Sequence, residues 1–225
     1  MLKRTDLHFD IDPIIEQVLS LNLTGKSLLL NETNGNLLNG PYTVKSEFVN
    51  TPIGNLLLKL GDIGEARLLK LESSETYTAH TDPDDRLHLS IISNPHCYLI
   101  NLEDNTLHNL PIDGYIWNMD TSIMHSAINL GGTQRIHLNV RVRLPECVEP
   151  KTQLTFEGGD VDWKQSLYMD VMGYINKKIK SGDITGFEKV NDRSVFINYA
   201  DESIIDYIVS TVSKKGFTVQ ISRVE

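Results

Sequence analysis

The hydrophobic positions change period twice along the chain, and the changes divide it into three stretches. In the first, DPIIEQVLSLNL (Asp12 to Leu23) sets Ile14, Ile15, Val18 and Leu19 as a stripe of helical period behind an Asp-Pro start, which predicts a helix. NETNGNLLNGPY, dense in Asn and Gly, predicts turns, and a second helix is predicted around Pro52 to Leu60. From Arg67 the period falls to two. ARLLKLE, RLHLSIIS, HCYLINLE, GYIWNM, HSAINL and RIHLNVRV are short, alternating segments separated by Pro, Gly, Asp or Asn. RIHLNVRV alternates most clearly, with Ile136, Leu138, Val140 and Val142 on one side and Arg135, His137, Asn139 and Arg141 on the other. So many short strands in roughly 80 residues predict an antiparallel sandwich or barrel.

The third stretch begins near residue 144. LPECVEPKTQ carries two prolines and reads as a linker. VDWKQSLYMDVMGYINKKIK has helical spacing and ends in Lys177, Lys178 and Lys180, read as a C-terminal helix face, with Gly182 as the stop. ITGFEKV and SVFINYA predict a hairpin around NDRS, DESIIDYIVSTVSKK a second helix and FTVQISRV a last strand. The expected organisation is a mainly β domain with N-terminal helices over residues 1–150 and a small αββαβ accessory unit over 151–225.

Composition narrows the function. The 225 residues are 40% hydrophobic and 23% charged, with a mean hydropathy of -0.21, which excludes a disordered chain and supplies an ordinary core. The net charge is -9, and -8 of it falls within residues 1–150, so a phosphate-neutralising face is not expected and nucleic acid is not expected as a partner. Two cysteines, Cys97 and Cys147, make neither a disulfide framework nor a structural zinc site of the usual kind. No run of 18 apolar residues occurs, and MLKRTDLHFDIDP holds no apolar segment of signal-peptide length. The expectation is a cytoplasmic protein without a membrane partner.

The chemistry concentrates between His80 and Arg135. In YTAHTDPDDRLHLSI, His80 and Asp82 are two apart and project to one side of an extended backbone, whereas Asp84 and Asp85 read as turn acids. Imidazole and carboxylate together suit a divalent metal of intermediate hardness, and His125 in NMDTSIMHSAINL is the candidate third ligand. Two histidines and one carboxylate on one face leave positions open, the arrangement of non-haem Fe(II) oxygenases. Arg135, ten residues after His125, could clamp a carboxylate through a bidentate pair. His8, His96 and His108 have no partner pattern and read as surface residues.

HTD, then HSAIN with an Arg ten residues past its His, resembles the 2-oxoglutarate/Fe(II)-dependent dioxygenases, and more narrowly the aspartyl/asparaginyl β-hydroxylase branch, which includes proline hydroxylases. The Arg-x-His of Arg86 and His88 and the WNMDTSIMHSA run, with an aromatic residue and an Asp before the distal His, extend the resemblance over roughly Arg67 to Val142. Some members of the branch have Gly where this chain has Asp82, and Ser73-Ser74 replaces a Pro-Gly. The resemblance implies a double-stranded β-helix, the cupin-like jelly-roll. It also implies Fe(II) on His80, Asp82 and His125, and 2-oxoglutarate as co-substrate. Arg135 would grip the distal carboxylate of 2-oxoglutarate, and Arg86 and His88 the carboxylate next to the metal. The implied reaction consumes O2, releases succinate and CO2, and hydroxylates a C–H of an amino acid or peptidyl residue. A cupin-like module that binds metal without this reaction is the alternative the sequence leaves open.

Overall fold

RIHLNVRV forms a strand buried on both faces, because it lies between two other strands rather than at an edge. It belongs to a computed structural model that describes residues 1–159 and 170–224. The chain opens with strand β1 (Leu2–His8), helix α1 (Asp12–Ser20), short strands β2 (Ser27–Leu29), β3 (Asn31–Glu32) and β4 (Thr43–Val44), and helix α2 (Pro52–Leu60). Strands β5 (Ile63–Leu71), β6 (Glu75–Thr76), β7 (Arg86–Ile92), β8 (Cys97–Asn101) and β9 (Thr106–His108) follow. Then come β10 (Tyr115–Met119), β11 (His125–Asn129) and β12 (Arg135–Val142). The C-terminal part comprises β13 (Lys151–Gly158), α3 (Met172–Ser181), β14 (Ile184–Asn191), β15 (Ser194–Tyr199), α4 (Ser203–Ser213) and β16 (Phe217–Val224).

From β5 to β12 the chain winds between two antiparallel sheets. The larger has the order β1-β10-β7-β12-β5-β2 and the smaller β6-β11-β8-β9. This winding is a double-stranded β-helix, the jelly-roll expected from the strand pattern. Register decides what each face carries. Across β7 and β12, Arg86 lies opposite Arg141, His88 opposite Asn139 and Ser90 opposite His137; across β5 and β12, Leu71 lies opposite Arg135 and Arg67 opposite Asn139. Directly opposed residues share a face, so one face of the large sheet is a polar ladder. The other face presents Leu68, Leu89, Ile136, Leu138 and Val140 to Ile14 and Val18 of α1 and Ile53, Leu56 and Leu57 of α2. Each fully buried aliphatic there contributes roughly 1.5–3 kcal/mol. The polar ladder instead turns into the sandwich, toward a small apolar group of Leu71, Leu99, Leu110, Met119 and Ala127. An interior lined this way is costly unless it serves a ligand.

Helix α2 has the predicted limits, with Pro52 in its first turn and the Thr51 hydroxyl accepting from the Gly54 amide. Besides the short β2, β3, β4, β6 and β9, two longer strands have no counterpart in the sequence reading. β1 is polar and largely exposed, held by backbone pairing to β10. β13 starts inside the segment read as a linker, yet it lies centrally in a third sheet of order β14-β15-β13-β16, with Thr152, Leu154 and Phe156 buried. The C-terminal unit is therefore βαββαβ, one strand more than the pattern predicted. The predicted helix between Val161 and Lys180 is present as α3 from Met172, capped by Gly182 at φ 81°; its first part, 161–169, lies outside the described residues. The core of this unit gathers Phe156, Ile175, Phe187, Ile197 and Ile208, and it also takes in Leu38 and Leu144. The Asn39 amide, buried, donates to the carbonyls of Leu144, Pro145 and Phe187. No helix among the described residues is long and apolar enough to cross a membrane.

Candidate metal centre

His80 and His125 are brought together by the backbone. Each donates its amide to the other's carbonyl, at 3.0 and 2.9 Å, in an antiparallel bridge at the first residue of β11, beyond the end of its partner β6. Two residues on, the Asp82 amide donates to the Thr121 carbonyl, so the extended backbone foreseen for His80-x-Asp82 is held at both positions. The carboxylate Oδ2 of Asp82 lies 3.7 Å from Nε2 of His80 and 3.7 Å from Nε2 of His125. The three candidate ligand atoms fall within 4.8 Å of one another. Each ring also places Nδ1 against a carbonyl, Thr78 at 2.7 Å for His80 and Ile123 at 2.9 Å for His125. A proton kept on Nδ1 leaves Nε2 with a free lone pair, which fixes the tautomer a metal requires. Burial, reinforced by the neighbouring His80, pushes His125 down to about 4. Burial works against the charge on Asp82, but Arg86 and the two histidines outweigh it and hold the carboxyl below its ordinary value. A neutral imidazole at His125 and an ionised carboxylate at Asp82 are donor states a divalent cation takes.

Around this cluster the acids differ from their sequence reading. Asp84 is not a turn acid on the surface but is buried between two guanidinium groups. Its oxygens accept from Nε and Nη2 of Arg141 at 2.8 and 2.5 Å and from Nη1 of Arg86 at 2.5 Å. Arg86 places its other terminal nitrogen, Nη2, 2.9 Å from Asp82 Oδ1. Arg86 thus faces two carboxylates of its own chain, whereas the resemblance implied a carboxylate of the co-substrate. Asp85 accepts from the side chains of Lys180 and Asn176.

A cavity of about 530 Å³ opens beside the cluster, lined by His80, Asp82 and His125 together with Arg86, His88, Arg135 and Asn139. Tyr77, Leu69, Leu99, Met119 and Ala127 complete its inner wall, and Arg67 and Lys189 stand among its other lining residues. Arg135 is 1% exposed, and its Nε and Nη1 have no hydrogen-bond partner. Among the described residues no carboxylate lies within ion-pair distance of it; its guanidinium sits 6.0 Å from the centre of the Tyr77 ring. Burial lowers its pKa below the ordinary guanidinium value. His88 receives the Asn139 amide at Nε2, 3.2 Å, so the neutral ring carries its proton on Nδ1, which is buried without an acceptor. Burial and the Arg135 charge press His88 down to about 3. His137 lies behind it, the rings 6.0 Å apart, and does not line the cavity. His8, His96 and His108 also lie outside the cavity lining.

Arg141, Asp84 and Asn139 are the residues beside the site that sequence reasoning assigned no role. Alternation did place Asn139 and Arg141 on the face of Arg135. Nothing local signals the pairing of Arg141 with Asp84, 57 residues away.

The family model described as aspartyl/asparaginyl beta-hydroxylase matches residues 33–145 of the chain. No curated protein matches it. Among solved structures it is similar to a cupin domain from Bordetella pertussis Tohama I, with 14% identity and a TM-score of 0.32 over 35% of this chain and 80% of that one.

Proposed function

The chain belongs to the aspartyl/asparaginyl β-hydroxylase family, and on that premise we propose that it is an Fe(II)- and 2-oxoglutarate-dependent hydroxylase. It acts on a C–H bond of an amino acid, free or within a peptide, and releases succinate and CO2. The observation that carries this reading is Arg135: a buried guanidinium with two N–H groups lacking acceptors, in the same cavity as a His-Asp-His cluster. A buried charge without a partner costs several kcal/mol, and a carboxylate entering the cavity offsets that cost.

The donor set fits iron. Nε2 of His80, Nε2 of His125 and a carboxylate oxygen of Asp82 would hold it, with the Nδ1 contacts to Thr78 and Ile123 keeping both rings aimed. When bound, Fe(II) supplies the activation of O2 that couples decarboxylation of 2-oxoglutarate to oxidation of the substrate. The protein's own groups do the rest. Arg135 binds the distal carboxylate of 2-oxoglutarate, and the Nδ1–H of His88 donates to its inner end. Arg86 holds Asp82 ionised and oriented. Leu69, Leu99, Met119 and Ala127 keep the reacting volume poor in water.

The test is turnover of 2-oxoglutarate by purified protein with Fe(II) in air, against a panel of free amino acids and peptides. Succinate release coupled to a mass gain of one oxygen atom is expected for at least one substrate. A protein that binds metal yet neither binds nor consumes 2-oxoglutarate is instead the metal-binding module that the sequence left open.

A further inference from the structure

The metal-bearing loop does not rest on the jelly-roll alone. Helix α3 of the C-terminal unit, outside the stretch that the family model matches, lays one face on it. The amide of Gly173 donates to the Thr81 hydroxyl at 2.9 Å. A Cβ at Gly173 would stand 2.5 Å from the Ser122 carbonyl oxygen and 3.0 Å from Thr81 Cγ2, so only glycine permits this approach, in a helix that glycine otherwise weakens. One turn on, Asn176 is 2% exposed, and its side-chain amide reaches the Asp82 carbonyl at 3.2 Å, Asp85 Oδ1 at 3.2 Å and Thr121 Oγ1 at 3.4 Å. A further turn on, Lys180 pairs with Asp85 and Asp120, each at 2.8 Å. Positions 173, 176 and 180 follow helical spacing, so a single face ties the loop of Asp82 to the loop that leads into His125.

We propose that α3 is a working part of the metal centre and that Asn176 is a positioning residue for Asp82, an inference that rests on the metal-site reading above. The Asp82 carboxylate faces the two imidazoles while its own carbonyl is anchored by Asn176. Groups behind a ligand that fix its orientation typically govern metal affinity 10- to 100-fold. The C-terminal unit also sends Lys189 of β14 to the cavity lining.

The experiment uses full-length, metal-free protein titrated anaerobically with Co(II), without co-substrate. Asn176→Ala is expected to raise the Co(II) dissociation constant by about 10-fold or more. Lys178→Ala, which removes a cation that pairs with Asp183 rather than with the metal loop, should leave it unchanged. Coupling between two sites is reciprocal, so Co(II) binding to the wild-type protein should slow hydrogen exchange at the amides of α3, that of Gly173 foremost. This second measurement decides the matter if Asn176→Ala does not fold. An Asn176→Ala protein with wild-type Co(II) affinity but a lowered unfolding midpoint would make Asn176 a packing residue only and overturn the proposal. Unchanged exchange in α3 on saturation with Co(II) would overturn it as well. Either result leaves the hydroxylase reading standing, whereas a wild-type protein that binds no Co(II) removes both.

Discussion

Arg135 and Asp84 are both buried ionic groups, but among the described residues the first has no oppositely charged side chain in ion-pair distance and the second has two, and their substitutions should behave in opposite ways. Arg135→Ala removes a charge that breaks no ion pair among the described residues, so stability should hold while the 2-oxoglutarate dissociation constant rises about 10-fold or more. Each charge-assisted hydrogen bond lost contributes about 1.5–3 kcal/mol, and 1.4 kcal/mol is a factor of ten. Arg135→Lys should recover only part of this, because an ammonium cannot reproduce the planar fork. Fluorescence titration with 2-oxoglutarate, beside Co(II) titration without it, separates the two effects; lost metal binding would make Arg135 a structural residue. Asp84→Ala takes from Arg141 two short hydrogen bonds and from Arg86 one of its two carboxylates, and should lower unfolding free energy by about 3 kcal/mol in a urea titration. Asp82→Ala should abolish tight metal binding with a smaller stability loss, since Arg86 keeps Asp84. At this scale the cluster was legible, because a spacing of two on extended backbone and the His–Arg separation are local facts. The role of Asp84 was not, because DPDDR has turn composition and its partner Arg141 is remote in sequence.

Among the elements, β12 was read correctly face by face, and its polar side proved to be the interior of the sandwich rather than a solvated surface. Period two distinguishes the faces of a strand but does not say which of them meets water. β1 escaped notice for the complementary reason: LKRTDLH has little apolar signal, and pairing with β10 supplies what its side chains do not. β13 was hidden by the prolines before it, although Thr152, Leu154 and Phe156 alternate. The inward histidines of β7 and β12 have a measurable consequence. Burial, with the Arg135 charge adding to it, presses His88 to about 3 and His137 well below the ordinary 6.5. Between those values and 6.5 the unfolded chain binds protons that the folded chain refuses, so acid favours unfolding. Metal-free protein should lose stability as pH falls below about 6.5, by up to about 1.4 kcal/mol per pH unit for each histidine. His137→Leu should flatten this dependence in urea midpoints taken from about pH 7.5 to 5. Equal slopes in the two proteins would mean that His137 titrates as in the unfolded chain.

For the molecule as a whole, an acidic chain surrounds a cavity whose charged lining residues are mostly cationic: Lys26, Arg67, Arg86, Arg135, Arg141 and Lys189 against Glu65 and Asp82. Net charge and the cavity's own balance therefore differ in sign, and the cavity's balance favours an anion. The sequence reading treats residues 151–225 as dispensable for the site, but removing them would uncover Leu38 and Leu144 and strip the metal loop of Gly173, Asn176 and Lys180. A chain ending at residue 150 is accordingly expected to be insoluble or to bind Co(II) at least 10-fold more weakly than the full chain. Metal affinity at the wild-type level in a soluble fragment would restore the simpler division. The placement of α3 also bears on how the protein is made. His80, Asp82 and His125 leave the ribosome well before Asn176, and at about 5–20 residues per second the interval is on the order of several seconds. During it the donors exist but their loop is untied. On the proposed reading, synthesis itself then delays tight metal loading until α3 has emerged, and a redox-active ion would be kept off a nascent polypeptide that has no substrate to oxidise but itself.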